Sequence, residues 1–242
     1  MKILAIDTST MFGGVAIMDD LCGLIIEIRL NIKSTYSERL MTTIDYALNK
    51  SSHKLSDIDI FAIAIGPGSF TGLRIGLSTV KGFAYTTGKP IVSVPTLEAL
   101  AYHFPYCMYP VCTMLDARKK EVYSAVFKWE DEGFQRLIDE ESIKIEKLIE
   151  KLRDEKRISN EKVVFTGDGA LLYRDKIFNT FEGNAIFASS DKMVTSPSHI
   201  AFIGMKKALK RDFSDPISIK PFYIRRSEAE LKEEIKQETD ES

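Results

Sequence analysis

Ile65-Gly66-Pro67-Gly68-Ser69-Phe70-Thr71-Gly72 joins an apolar run to a weakly charged helical pattern. Residues 58–65 before it read as a buried strand interrupted only by Asp59. Residues 71–87 after it read as a helix. The stretch is therefore a strand-to-helix turn, the punctuation of an α/β fold. Its glycines permit positive φ and close backbone approach. The amide groups opening the helix could hold an anion. The Gly-Lys-Ser/Thr ending of a phosphate-binding P-loop is missing, and so is the dinucleotide fingerprint. An anion-binding turn and a tight structural turn both remain open.

The helix that follows carries only two charges, Arg74 and Lys81, on one face. Leu73, Leu77, Val80 and Ala84 form an apolar stripe, and Gly72 and Gly76 a small-residue stripe. Such a helix is expected to be buried on more than one side, with core on one and a partner helix on the other.

Upstream, Ile3-Leu4-Ala5-Ile6 is a short strand closed by the polar turn Asp7-Thr8-Ser9-Thr10. Strands over 13–18 and 24–30 complete a meander. Thr35-x-x-Glu38 fits a capping box. Behind it Leu40, Met41, Ile44, Ala47 and Leu48 recur at helical spacing, predicting a helix over 36–49. A strand over 90–94 and a helix over 96–103 follow.

Near Pro105–Pro110 the pattern restarts. Strands are expected over 111–115, 122–129 and 134–138, with the turn Asp116-Ala117-Arg118-Lys119-Lys120 after the first. Ile145, Leu148, Ile149 and Leu152 mark an amphipathic helix. A strand over 163–166 runs into Gly167-Asp168-Gly169, and Ser196-Pro197 opens a helix to about 210. A strand, polar turn, strand unit thus occurs at 3–18 and again at 111–127, with Asp7 and Asp116 at the two turns. The expected organisation is a duplicated α/β architecture: an N-terminal subdomain over 1–104 and a C-terminal one over 105–227, with helix 197–210 free to pack back on the first. A charged segment over 228–242, with seven acidic and two basic residues, is expected to be exposed or disordered.

The 242 residues are 44% apolar and 28% charged, with a formal net charge of −2, which argues against a globally basic nucleic-acid binder. Three cysteines, Cys22, Cys107 and Cys112, suit a reducing compartment rather than a disulfide framework; Cys107 and Cys112 read as small buried hydrophobes. Asp7 comes too early for a signal peptide, and no window has the roughly 20 apolar residues of a membrane span. A cytoplasmic protein is expected.

Three turns could carry chemistry. Asp7, Thr8 and Ser9 could meet a phosphate or a metal-bound water, or form an ordinary Asx turn. Gly66, Gly68 and Ser69 belong to the turn already described. Gly167, Asp168 and Gly169 could approach a nucleotide, or simply reverse the chain. His53, His103 and His199 are far apart and form no metal-binding pair. Ser69 and Thr71 lack an evident histidine partner, so neither a triad protease nor a metalloprotease is supported. Phe222-Tyr223-Ile224-Arg225-Arg226 offers rings and cations that suit nucleic acid or surface packing. An ATP-dependent small-molecule kinase is the enzymatic alternative that these turns suggest.

Taken together, the chain resembles the bacterial TsaB (YeaZ) family. The resemblance rests on Ile3-Leu4-Ala5-Ile6-Asp7-Thr8-Ser9, Ser37-Glu38-Arg39-Leu40, the run Ile65–Gly76, Leu115-Asp116-Ala117-Arg118, Gly167-Asp168-Gly169 and the run Pro221–Glu230, in that order. The chain departs from the family pattern in its second half, including the charged segment from Glu150 to Lys162. The resemblance implies an actin/Hsp70/sugar-kinase-like (ASKHA) fold of two duplicated subdomains, each with a mixed sheet and helices. It implies a non-catalytic subunit that pairs with the paralogue TsaD, joined by the ATPase TsaE, to make N6-threonylcarbamoyladenosine at position 37 of tRNA. No metal or cofactor is implied beyond weak or interface-dependent ATP or ADP binding. Homodimers are implied when the chain is alone. The family interface maps onto two helices here, one carrying Leu40, Met41, Ile44 and Leu48, the other Leu73, Arg74, Gly76, Leu77, Val80 and Lys81. Two helix faces can supply the roughly 800 Å² per partner of a standard interface.

Overall fold

A computed structural model describes residues 1–32, 35–156, 158 and 161–225. The expectation for 228–242 concerns residues outside this set. The chain opens with β1 (Lys2–Asp7), β2 (Gly13–Asp19) and β3 (Gly23–Leu30). It continues through α1 (Tyr36–Lys50), β4 (Ile60–Gly66), α2 (Phe70–Thr87), β5 (Ile91–Pro95) and α3 (Thr96–Ala101). The second half runs β6 (Val111–Asp116), β7 (Glu121–Glu130), β8 (Gly133–Lys144), α4 (Ile145–Asp154), β9 (Val163–Thr166), α5 (Asp168–Leu172), α6 (Arg174–Phe181), β10 (Ala185–Phe187) and α7 (Pro197–Leu209).

Each half builds one five-stranded sheet, and the two orders correspond: β3-β2-β1-β4-β5 and β8-β7-β6-β9-β10. In both, the first three strands are antiparallel and the last two run parallel to the first. The expected α/β class, with two duplicated mixed sheets of actin/Hsp70/sugar-kinase-like type, is what the topology shows. The short elements α5, α6 and β10 have no counterpart in the sequence reading.

Period-two alternation on β1 explains the layering. Ile3 and Ala5 face one way, toward Ala16, Ala62, Ala64, Val92 and Val94. Leu4 and Ile6 face the other, toward Val15, Ile17, Phe61 and Ile63. The second face is covered by α1 and α2 through Leu40, Ile44, Leu77 and Val80. The first face, paved with alanines, receives α7 through Ile200, Ala201, Ile203 and Ala208. Small residues let the helix sit close: a Cβ on Gly204 would lie 2.8 Å from the Ala62 methyl.

The last helix among the described residues therefore packs on the first sheet. Its counterpart α3 does the converse. Leu97, Leu100 and Ala101 pack on Val111, Leu115, Ala125 and Phe127 of the second sheet, while Ala99 touches the first core. The other face of the second sheet is covered by α4, α5 and α6, through Leu148, Leu152, Ala170 and Ile177. Cys112 lies in that core, whereas Cys107 is only half-buried and Cys22 is exposed.

Local chemistry sets the helix ends. The Glu38 carboxylate accepts the Thr35 amide at 2.9 Å and starts α1. Ser69 Oγ accepts the Gly72 amide at 3.2 Å and caps α2, which stops at Gly88 in the left-handed region. Ahead of α7, Ser196 Oγ and the Ser198 amide both donate to Glu27 of β3.

Candidate functional site

The strand-to-helix turns of the two halves face each other across a cleft of about 550 Å³. On the first side, the Asp7-Thr8-Ser9 turn and the Gly66–Gly72 turn pack directly together. Ser69 N–H donates to the Ser9 carbonyl at 2.6 Å. Methyl groups on Gly68 and Gly72 would fall 2.2 Å from the Ser9 carbonyl oxygen and 2.0 Å from that of Thr8. One on Gly76 would fall 2.2 Å from Thr8 Oγ1. The glycines are thus required because α2 begins in contact with the backbone of the first turn. Gly66, at φ 117°, turns the chain beneath it. The amides of Ser69, Gly72 and Leu73 are committed to Ser9, Ser69 Oγ and the Ser69 carbonyl. The turn contains no lysine. The glycines of this stretch are used in the contact between the two turns.

Asp7 is fully buried at the end of β1. Its Oδ1 accepts the Ser9 amide at 2.9 Å and the Ser9 hydroxyl at 2.6 Å. Thr195 stands beside it without an ordinary hydrogen bond to Oδ2. Burial pushes the Asp7 carboxyl above the usual carboxylate range. Asp7 and Thr8 lie under the cleft floor, while Ser9, Gly68 and Ser69 line it.

The second side repeats the arrangement. Asp168 Oδ1 accepts the Asp116 amide at 2.9 Å, tying the β9–α5 turn to the end of β6. Gly167, at φ 106°, abuts the Met114 carbonyl, and Gly169 lies against the backbone of Met114 and Leu115. Burial raises the Asp168 carboxyl above its ordinary range, and the Asp116 carboxylate adds to the effect. Asp116 accepts the Arg118 amide at 2.8 Å and lies 3.4 Å from its guanidinium. Asp116 and Asp168 thus place two carboxylates on this wall of the cleft.

The segment after α7 closes the rim. Phe222 N–H donates to the Ile65 carbonyl at 2.7 Å, and Tyr223 stacks on Phe70 with centroids 4.9 Å apart. Arg74 lies 3.8 Å over the Phe70 ring and donates through Nε to the Tyr223 hydroxyl at 2.9 Å. Arg225 then crosses to the second half and pairs with Glu121 at 3.0 Å. Of the aromatic and basic run 222–226, Tyr223 and Arg225 are held by these contacts, Phe222 and Ile224 line the cleft, and Arg226 lies outside the described set. The roles of Arg74, Thr195 and Arg225 at the cleft depend on contacts distant in sequence.

The helix faces expected at a partner surface are corrected by the structure. Leu40, Ile44, Leu73, Gly76, Leu77 and Val80 are buried within the chain's own first half. The sheet takes the apolar stripe that was assigned to a second protein. Leu48 is half-buried against the same cluster. Arg74 holds Tyr223, and Lys81 donates to the Ile217 carbonyl at 3.2 Å. Met41 does face outward. The outward faces of the two helices also carry Tyr46 and Tyr85, the latter 92% exposed.

Two histidines that the sequence keeps apart meet between α3 and α7. The rings of His103 and His199 stand edge to face, 4.4 Å between centroids. His103 Nε2 is 2.7 Å from the Val194 carbonyl, and His199 Nδ1 is 3.2 Å from that of Ala99.

Residues 30–233 match the profile of the family described as TsaD, tRNA N6-adenosine threonylcarbamoyltransferase. The Bacillus subtilis tRNA threonylcarbamoyladenosine biosynthesis protein TsaB is 29% identical over 235 residues, 96% of this chain and 97% of that protein. A tRNA N6-adenosine threonylcarbamoyltransferase from Kosmotoga olearia is 33% identical over 133 residues, 48% of this chain and 40% of that protein. Among solved structures, an uncharacterised Pseudomonas aeruginosa protein with similarity to peptidase YEAZ superposes with a TM-score of 0.77. That match is 22% identical and covers 93% of this chain and 99% of that one.

Proposed function

This chain belongs to the TsaB (YeaZ) family, and on that premise we propose that it is a non-catalytic partner subunit in tRNA N6-threonylcarbamoyladenosine formation, binding and activating a TsaD-type paralogue. The observation that carries the reading is the full-length likeness to a TsaB protein, in a chain that also matches the transferase profile. Two proteins of one fold can pair pseudo-symmetrically, as copies of one chain pair about a twofold axis.

The partner surface we propose is the outward face of α1 and α2, with Met41, Tyr46 and Tyr85 as anchors. Exposed tyrosine and methionine side chains are enriched at protein interfaces. In the absence of the paralogue, the same face would pair two copies of this chain. TsaE and tRNA join through the assembled complex. The cleft keeps its paired turns as a scaffold and takes nucleotide weakly, if the pairing creates a site for it.

Reconstitution tests this reading. The purified chain, its paralogue, TsaE and unmodified tRNA are combined, and modified adenosine is measured. Omitting the chain should abolish modification. Tyr85→Glu together with Tyr46→Glu should leave thermal unfolding within about 0.5 kcal/mol of the parent, as for ordinary surface changes, yet prevent co-purification with the paralogue. Full modification without the chain would sink the role. Unimpaired pairing by the folded double variant would sink the choice of face.

A further inference from the structure

Aromatic side chains meet where the end of α3, the middle of α7 and the β7–β8 hairpin come together. Tyr102 lies 5.2 Å from Phe134, 5.7 Å from Phe202 and 6.1 Å from Trp129, centroid to centroid. Tyr106 completes the group, tilted 54° on Trp129 at 4.9 Å. The inner rings belong to the core: Tyr102 is buried, and Trp129 and Phe134 pack against the same apolar cluster. The outer rings reach water, Phe202 being 43% and Tyr106 81% exposed. Tyr106 also sits at φ 62°, a conformation uncommon for a bulky residue. Backbone strain that holds a large ring in water points to a use for that ring. Tyrosine and tryptophan are over-represented among the anchors of protein contacts.

The charge around the rings selects the partner. Glu130, Asp131 and Glu132 form the exposed tip of the hairpin. Among the described residues, no cation pairs with their carboxylates. Lys206 of α7 donates to the Glu132 backbone carbonyl at 2.8 Å, with its ammonium 5.8 Å over the Phe202 ring. The surface therefore already seats one ammonium against a ring, and three carboxylates are left over. Rings beside such carboxylates attract an organic cation and repel the phosphates of a nucleic acid. A guanidinium meets both features, since it stacks on aromatic faces and pairs bidentately with carboxylates.

We propose that Tyr106, Trp129 and Phe202, with the hairpin tip Glu130–Glu132, form a docking surface for an arginine-bearing segment of another protein. This surface is separate from the outward face of α1 and α2, because α7 covers the opposite side of the first sheet. It does not depend on the partner role argued above.

Trp129 is the one tryptophan in the sequence, so its emission reports on the surface in the intact chain. Titration with a capped hexa-arginine peptide at low salt should change that emission saturably. Tyr106→Asn should weaken binding on the order of tenfold through loss of the stacking ring. Glu130→Gln, Asp131→Asn and Glu132→Gln together should weaken it at least as much and flatten its salt dependence. These positions are exposed, and asparagine tolerates the left-handed backbone at 106 and 131, so both variants should unfold at the temperature of the parent. Hexa-lysine, of equal charge, should bind several-fold more weakly than hexa-arginine. Absence of a saturable change, or equal affinity of the parent and Tyr106→Asn, would overturn the proposal. Equal affinity for hexa-lysine would reduce the site to diffuse charge attraction and overturn it too. Tighter binding of a single-stranded RNA hexanucleotide than of the peptide would assign the rings to base stacking instead.

Discussion

Gly72 and Gly82 lie on one helix and should answer an added methyl in opposite ways. At Gly72 the new carbon would sit 2.0 Å from the Thr8 carbonyl oxygen, a backbone atom that cannot swing aside. Gly72→Ala should cost about 3 kcal/mol, the upper range for overpacking. Gly82 is exposed within α2, and an added carbon there meets nothing within 4 Å. Gly82→Ala should gain about 0.5–1 kcal/mol from helix propensity. Urea denaturation of both variants decides the matter, and equal effects would refute the packing account of the turn. At this scale the sequence marks the turn clearly, because Gly66, Gly68 and Gly72 leave few alternatives to an abrupt strand-to-helix change. It does not reveal why glycine is needed. That reason lies in Thr8 and Ser9, whose carbonyls become neighbours only on folding.

Elements show where local patterning stops. The stripe Leu73, Leu77, Val80 and Ala84 is equally consistent with a sheet inside the chain or a helix outside it, since periodicity identifies a buried face but not what buries it. The sheet takes that stripe, and the face we propose for a partner instead carries the exposed Met41, Tyr46 and Tyr85. The contact of α3 with α7 was also invisible, because His103 and His199 are separated by most of the second half. It carries a pH prediction. Burial, then the neighbouring His103, pushes His199 down from 6.5 to about 4, while Glu27 opposes this and Arg29 reinforces it. The unfolded chain takes up this proton near pH 6.5, but the folded chain resists it until about pH 4. Between these values the unfolded state binds more protons, so stability rises with pH and is lost on acidification. At about 1.36 kcal/mol per pH unit the loss is at most about 3 kcal/mol. Asp7 and Asp168, whose carboxyls are raised, work in the opposite sense. Comparison with His199→Gln isolates the histidine: the variant should lose less stability between pH 6.5 and 4. Parallel curves would refute the assignment.

For the whole molecule, the duplication was legible because each half begins with the same strand, polar turn, strand unit, and resemblance to a family supplied the rest. Of the exchange of helices, the return of α7 to the first sheet is among the expectations, but the packing of α3 on the second sheet is not. β5 leads into α3, which covers the second sheet, and the second half ends in α7, which covers the first. This exchange makes the halves interdependent. Without α7, Ile3, Ala5, Ala16, Ala62 and Ala64 would present an apolar sheet face to water. At about 25 cal/mol per Å² such exposure works against folding of the first half alone. Residues 1–104 expressed alone should therefore lack a cooperative transition and bind a hydrophobic dye. The intact chain should unfold in one calorimetric step, with the ratio of calorimetric to van't Hoff enthalpy about 1. Two resolved transitions, or a cooperatively folded 1–104 fragment, would show that each sheet closes its own core. The exchanged helices would then be attachments rather than the reason the cleft keeps its shape.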